Sequence, residues 1–235
     1  MDSFEGIGVN FPDMSKYQMN KLGDMALYLS HCDLYPFRSV ISNNKLISSL
    51  SNETYREMAI DASSKGDIKT EQYLMMSQNL QAGRVDTLTC YSLVLILMSI
   101  LEESFNTLCR LYCNLNHFDC DLKSYTKSGT GLNKAIDYLK EYAKISGFKQ
   151  DKQWEYIQKI RDVRNMIVHN GGRLEREGLS DFQKFGIGYR DEDLQIYLEY
   201  QDIEKMYDAV LEYIGRAFKI IPAEGSGIKS EIDNS

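Results

Sequence analysis

Apolar residues recur along this chain at spacings of three and four, the period of a helix with one buried face. The earliest such run, Met14–His31, follows Pro12-Asp13 and carries Met19, Leu22, Met25, Leu27 and Leu29. A second helical region is predicted from about Asn52 to Gln81, capped by Ser51 or Asn52 and broken near Gly66. The third helix, about Thr87–Leu115, is apolar almost all round in its first half. A helix of that kind is central in a bundle or lies in a subunit interface. Its longest apolar run, Leu93–Leu101, is interrupted only by Ser99. That is well short of the ~20 residues a membrane span needs, so it reads as a buried core segment.

Ser128-Gly129-Thr130-Gly131 then punctuates the chain. The next helix is expected over about Leu132–Ile145, with Leu132, Ile136 and Leu139 as its buried seam and Ser146-Gly147 as its end. Another is expected over about Asp151–His169 and stops at Asn170-Gly171-Gly172, a strong C-terminal signal. Phe185–Tyr189 and Leu194–Tyr200 suggest a short hairpin around Arg190-Asp191-Glu192. Asp202 is placed to cap a last helix reaching about Ile220, and Pro222–Ser235 reads as a disordered tail. The fold class is therefore mostly α: a helical bundle with a long central helix and a small β-hairpin before the last helix. Residues 1–85 read as a helical N-terminal extension packed on a core domain, 86–221, with 222–235 as the tail.

Composition narrows the function classes. Apolar residues make up 43% of the 235, enough for a real core, and only three prolines interrupt long helices. The net charge of −7 argues against a broad basic face that grips nucleic acid, though not against a local basic pocket. Met1–Phe11 has no basic start and no apolar run, so no secretory signal is expected there. The five cysteines are odd in number and sit mostly in helical patterns, which suits reduced thiols in a cytoplasm.

The segment that carries chemistry is Asp151–His169. On a helical wheel at about 100° per residue, Tyr156, Ile157, Ile160, Val163 and Ile167 form a broad apolar arc. Glu155, Gln158, Asp162 and Asn165 fall opposite. Arg164 breaks the pattern by lying inside the apolar arc, between the directions of Ile157 and Ile160. A guanidinium is not left dry and unpaired. It must meet a carboxylate, a bound anion or a wet subunit boundary, and Glu102 and Glu103 are the plain structural partners. Asn165 and His169 are four residues apart and so neighbours on one face, where the amide is placed to orient the imidazole. His169 ends its helix, and the dipole there favours the protonated ring. That suits acid–base work.

Arg164-Asn165-Met166-Ile167-Val168-His169 resembles the Arg-x4-6-His motif of HEPN-superfamily ribonucleases, with a polar residue directly after the arginine. The context is similar too. The motif ends a late helix, Asn-Gly-Gly comes next, and a long apolar helix bearing Glu102-Glu103 precedes it. Gly131-Leu132-Asn133-Lys134-Ala135-Ile136 is similar to the helix that often comes before the motif. The resemblance spans roughly Thr87–Ile220, making 86–221 a HEPN-like domain, and leaves the first 85 residues unexplained. It implies a homodimer in which both copies of Arg164 and His169 line one cleft. It also implies metal-independent RNA cleavage through the ribose 2′-hydroxyl. His169 would act as acid or base, Arg164 would hold the phosphate, and Asn165 would orient His169 or the ribose. No cofactor is implied. A toxin–antitoxin or phage-defence enzyme of this kind works under an antitoxin or other regulatory protein, in the cytoplasm and away from membranes. The alternative is a catalytically silent module that dimerises or binds RNA, nucleotide or protein. Some members carry a tyrosine two residues after the histidine, which a partner nucleotidyltransferase modifies. This chain has Asn170-Gly171-Gly172 there, so that control is not expected.

Three further features are weighed and set lower. Cys109, Cys113, His117 and Cys120 have ligand types that suit zinc, but two of them share a helical stretch with Leu108 and Leu111, so packing is favoured. Gly129-Thr130-Gly131 with Lys134 lacks the full spacing of a P-loop, and Thr130 is better read as a helix cap. Arg173, Arg176 and Lys184 offer a local positive field for RNA, diluted by Glu175 and Glu177.

Overall fold

In a computed structural model the chain is described over residues 12–18, 21–117, 120–126, 129, 131–174, 188–190 and 194–221. It is mostly helical. The helices are α1 (Leu22–Ser64), α2 (Ile68–Leu80), α3 (Asp86–Asn116), α4 (Gly131–Tyr142), α5 (Trp154–Asn170) and α6 (Tyr200–Ala217). A π-helical turn, Gln81–Val85, joins α2 to α3 without a break, so that Ile68–Asn116 forms one helix of 49 residues. Two short antiparallel strands, β1 (Gly188–Arg190) and β2 (Gln195–Tyr197), pair Tyr189 with Ile196 just before α6. The long central helix and the hairpin are as the apolar spacing predicts. Several boundaries are not.

The expected first helix begins late and runs far beyond His31. Met14–Lys16 is a single 3-10 turn, with Asp13 accepting from the Ser15 N–H at 3.0 Å. α1 then continues through Pro36 to Ser64. An interior proline removes one backbone bond and typically costs about 3 kcal/mol. Burial of Leu34, Phe37 and Ile41, at the helical spacing i, i+3, i+7, offsets it. Ser51 and Asn52 are therefore interior residues and cap nothing. Gly66, in the left-handed conformation, does make the break between α1 and α2. α4 stops at Tyr142, short of the expected Ile145, because Lys144 turns left-handed and Ile145 N–H folds back onto the Leu139 carbonyl. Asp202 lies inside the first turn of α6 rather than before it. Its carboxylate accepts from the Glu199 N–H at 3.1 Å, the reciprocal half of a capping box. Thr130 and Pro222–Ser235 lie outside the described residues.

The chain divides into two compact units. One is drawn from Phe37–Ile96 and Lys159–Tyr207, the other from Val9–Pro36, Leu97–Gln158 and Asp208 onward, so both combine residues from before and after position 85. In the second unit Phe105 is the centre of an aromatic cluster. Its ring meets Phe148 and Phe218 edge-on at 5.5 and 5.3 Å and stacks on Tyr213 at 5.8 Å. Leu132, Ile136 and Leu139 are buried, as their seam predicts. Asp151 opens α5 by accepting from the Gln153 N–H, and its two oxygens receive Arg216 at 2.7 Å each. That bidentate charged pair, with Glu212 also on Arg216, holds the Asp151 carboxyl below the usual carboxylate range.

The first unit buries Leu93, Val94, Ile160, Val163, Ile196 and Ile203. Ser48 donates to Asp86 at 2.6 Å, and Lys45 pairs with Glu204 at 2.9 Å. Leu93, Val94, Leu97, Met98 and Leu101 are all buried, so most of the apolar run is core, while Leu88 and Ile96 on the same helix are exposed. Ile68–Asn116 is long and apolar enough to cross a membrane by length and composition, and 44% of its most apolar stretch is buried within the fold.

Candidate active site

Arg164, Asn165 and His169 occupy the last two turns of α5. The buried side of this helix is Ile157, Ile160, Val163 and Ile167, the arc the sequence predicts. Arg164 borders that arc and is half-buried, as is Asn165, while His169 is exposed. Five residues place Arg164 and His169 about 140° apart around the axis and about 7.5 Å apart along it. They do not share a face. Arg161, Asn165 and Val168 fill the arc between them, and Val168 presents an exposed apolar side chain there.

The Arg164 guanidinium donates through Nη1 to Asn165 Oδ1 at 3.1 Å. Asn165 therefore turns its carbonyl toward the arginine, and it shares no hydrogen bond with His169. Neither of the two carboxylates expected as partners pairs with Arg164. Glu103 binds Arg110 at 2.5 Å. Glu102 lies against Gly131, where a Cβ would stand 2.6 Å from its Oε1. Among the described residues Arg164 has no carboxylate within ion-pair distance.

Arg161 is a further candidate that the Arg164–His169 spacing does not flag. Its Nε is buried without a hydrogen-bond partner among the described residues, where Asp162 is the carboxylate within ion-pair distance, at 3.9 Å. The sequence signal for it is position: three residues before Arg164, on the edge of the same apolar arc. Two guanidinium groups one turn apart, Arg161 in a long 3.9 Å pair with Asp162 and Arg164 in no ion pair among the described residues, make a local anion-attracting strip on an otherwise acidic chain.

The helix end is held firmly. Gly171 and Gly172 both have positive φ, 61° and 81°, and the Gly172 N–H donates back to the Met166 carbonyl at 3.0 Å. A Cβ on Gly172 would overlap the Tyr91 hydroxyl, so the glycine lets the backbone lie against that ring. Tyr91 donates to the Ile196 carbonyl at 2.6 Å. The Gly172 carbonyl accepts from the Ile196 N–H, and the Leu174 N–H donates to the Leu194 carbonyl, both at 2.8 Å. The chain leaving His169 is thus stitched to β2 and to α3. This fixes the direction in which α5 presents its last turn.

The lesser candidates resolve differently. Cys109 is buried, its thiol pushed up by burial and aimed at the Ala135 carbonyl, while Cys113 points to the Cys120 carbonyl. A thiol so disfavoured as a thiolate is a poor metal ligand. Among the described residues no three His, Cys, Asp or Glu side chains form a metal-binding group. The Glu102 carboxylate lies against Gly131 at the start of α4, and its negative charge disfavours a phosphate there. Arg173 is exposed and bridges to Gln195, whereas Arg176 and Lys184 lie outside the described residues. No protein-family model, curated protein or solved structure matches the chain, so the site is read from its own residues.

Proposed function

We propose that this protein is a HEPN-like, metal-independent endoribonuclease whose site is completed by a second copy of α5. The observation that carries the reading is a half-buried Arg164 that has no carboxylate within ion-pair distance among the described residues, on the same helix end as an exposed His169. Because Arg164 and His169 diverge around one helix, a single protomer does not bring them onto one phosphate. A partner helix seated over Val168 would bring two arginines and two histidines to a common cleft.

The chemistry derives from those groups. One His169 takes the proton of the ribose 2′-hydroxyl as its oxygen attacks the adjacent phosphorus. The P–O5′ bond breaks, and the other His169 gives a proton to the leaving O5′. Arg164 holds the phosphate through a planar pair of donors and stabilises its growing charge. The nucleophile is already beside the phosphate, so the step is intramolecular. The products are a 2′,3′-cyclic phosphate and a 5′-hydroxyl. An enzyme of this kind calls for an antitoxin or other regulatory protein in a defence setting, within the cytoplasm.

The second reading, a silent RNA- or protein-binding module, is favoured by one observation. The Asn165 carbonyl is engaged by Arg164 and so does not orient the imidazole. The two readings separate on incubation in excess EDTA with RNA, its all-deoxy analogue, and RNA with one 2′-O-methyl at the cut site. The nuclease cuts only the first and leaves the cyclic end, and His169→Ala abolishes the cut. Cleavage of the deoxy strand, or activity lost in EDTA and restored by Mg²⁺, refutes the mechanism. Binding without cleavage supports the silent module.

A further inference from the structure

α1 and α2 pair as a helical hairpin whose inner contact is small. Leu74 packs against Ala59 and Ala62, with Tyr55 beside them, and Gln78 reaches back to the Asn52 carbonyl. The outer surface is far more apolar than this inner one. Tyr73, Met76 and Leu80 are 70%, 75% and 56% exposed. They recur at three and four residues, the a and d spacing of a helix that packs on another helix. On α1, Ile47, Leu50 and Met58 are each more than half exposed. At about 100° per residue they fall within roughly 80° of one another. The antiparallel hairpin brings the two stripes onto one side of the pair.

We propose that this face is a docking surface for a second copy of the chain, with two α2 helices crossing antiparallel at Met76. Three observations choose that occupant. The six residues expose roughly 700 Å² in all, most of it apolar, at or above the upper end of the patch a monomer usually leaves in water and close to the ~800 Å² each partner gives to a stable interface. The residues flanking the α2 stripe, Gln72, Ser77 and Asn79, are uncharged, so two identical copies meet without like-charge repulsion. To this face α2 contributes one charge, Lys69, and on the α1 side of the face Asp61 is already paired with Lys65 at 2.6 Å. The antiparallel sense comes from Lys69, one step before Tyr73 in the stripe. A parallel pair would set Lys69 against Lys69. An antiparallel pair sets it near Gly83, where no side chain stands and a Cβ would meet nothing within 4 Å. Tyr73 then meets Leu80 of the second copy, and Met76 meets itself on the two-fold axis.

This surface is independent of the nuclease reading, and the experiment keeps the two apart. In the full chain, with the half-buried Cys32 and Cys120 replaced by serine, Met76→Cys is oxidised and run without reductant. The expected result is a covalent dimer, since the paired Cα atoms fall within the ~7 Å a disulfide tolerates. Lys69→Cys is expected to stay monomeric on the same gel, its two copies standing about 21 Å apart. Sedimentation of Met76→Glu at micromolar concentration should show half the assembly mass of the wild type, with helix content unchanged. A chain that associates only through α5 gives no disulfide in the Met76→Cys variant and an unchanged mass for Met76→Glu, which overturns the proposal. A Lys69→Cys dimer overturns the antiparallel arrangement. An unchanged mass with vesicle binding (phosphatidylcholine with phosphatidylglycerol) that Met76→Glu abolishes also overturns it, and assigns the face to lipid.

Discussion

Gly171 and Gly172 sit side by side with similar positive φ, yet alanine should affect them unequally. At Gly171 nothing lies within 4 Å of the new Cβ, so Gly171→Ala meets only the left-handed backbone penalty. That is about 1 kcal/mol. At Gly172 the same penalty applies and the Cβ also runs into the Tyr91 ring, overlapping the hydroxyl and standing 2.5 Å from the ring carbon that bears it. A rigid ring cannot yield by bending its tip. It must move as a whole, and its bond to the Ile196 carbonyl goes with it. Losing a buried hydrogen bond and stranding its acceptor costs about 2 kcal/mol. Gly172→Ala should therefore destabilise by about 3 kcal/mol. In a chain this size each kcal/mol lowers Tm by about 2–4 °C. The assay is thermal and urea unfolding monitored by circular dichroism. Tyr91→Ala and the double mutant complete a double-mutant cycle, in which Gly172→Ala in the Tyr91→Ala background should fall back to the cost seen at Gly171. Equal losses at the two glycines, or additive losses with Tyr91→Ala, would refute the role of the Tyr91 ring in pinning the end of α5.

Two other outcomes are expected. Burial pushes the His31 imidazole down to about 4, between the Tyr17 hydroxyl at 2.5 Å and the stacked Tyr35 ring at 4.9 Å. The folded pKa lies below the unfolded one, so this contribution is full above the unfolded value of about 6.5 and is lost as pH falls toward 4. Stability from urea unfolding should drop across that window by an amount on the order of 3 kcal/mol, and His31→Phe should flatten the drop. A wild-type stability that stays level from pH 6.5 to 4 contradicts it. At the candidate site, Arg161→Ala should weaken binding of an uncleavable 2′-O-methyl RNA and reduce the slope of log affinity against log salt by about 0.7, one phosphate contact. An unchanged slope would remove Arg161 from the anion strip.

Long-period features are legible in the sequence and local exceptions are not. α3, α5 and the hairpin emerge from spacing and from the Asn-Gly-Gly stop, because each is set by many residues acting together. The continuation of α1 is hidden by Pro36, a residue that ends most helices, although the spacing of Leu34, Phe37 and Ile41 signals it. The helical wheel alone places Arg164 among the apolar directions of α5. Its bond to Asn165 leaves no trace in the sequence, since side chains adjacent in the chain diverge at Cβ and meet only when a long arginine bends back. Arg161 escapes for a different reason: the unpartnered state of a buried nitrogen is a tertiary fact that no spacing records.

The π turn at Gln81–Val85 sets the phase of everything upstream of it. One surplus residue in a helix rotates all that precedes it by about 100° relative to the downstream stretch. The Tyr73–Leu80 stripe and the buried seam of α3 therefore belong to one continuous rod yet need not share a bearing. Removing a single residue from that turn would leave the rod helical, and its length almost unaltered, while swinging the stripe a quarter turn. Selection can thus re-aim the outer face of the hairpin at the expense of the Ser48–Asp86 bond that ties α1 to the start of α3, and an insertion or deletion that would ruin a shorter helix becomes here a means of changing what the chain points at.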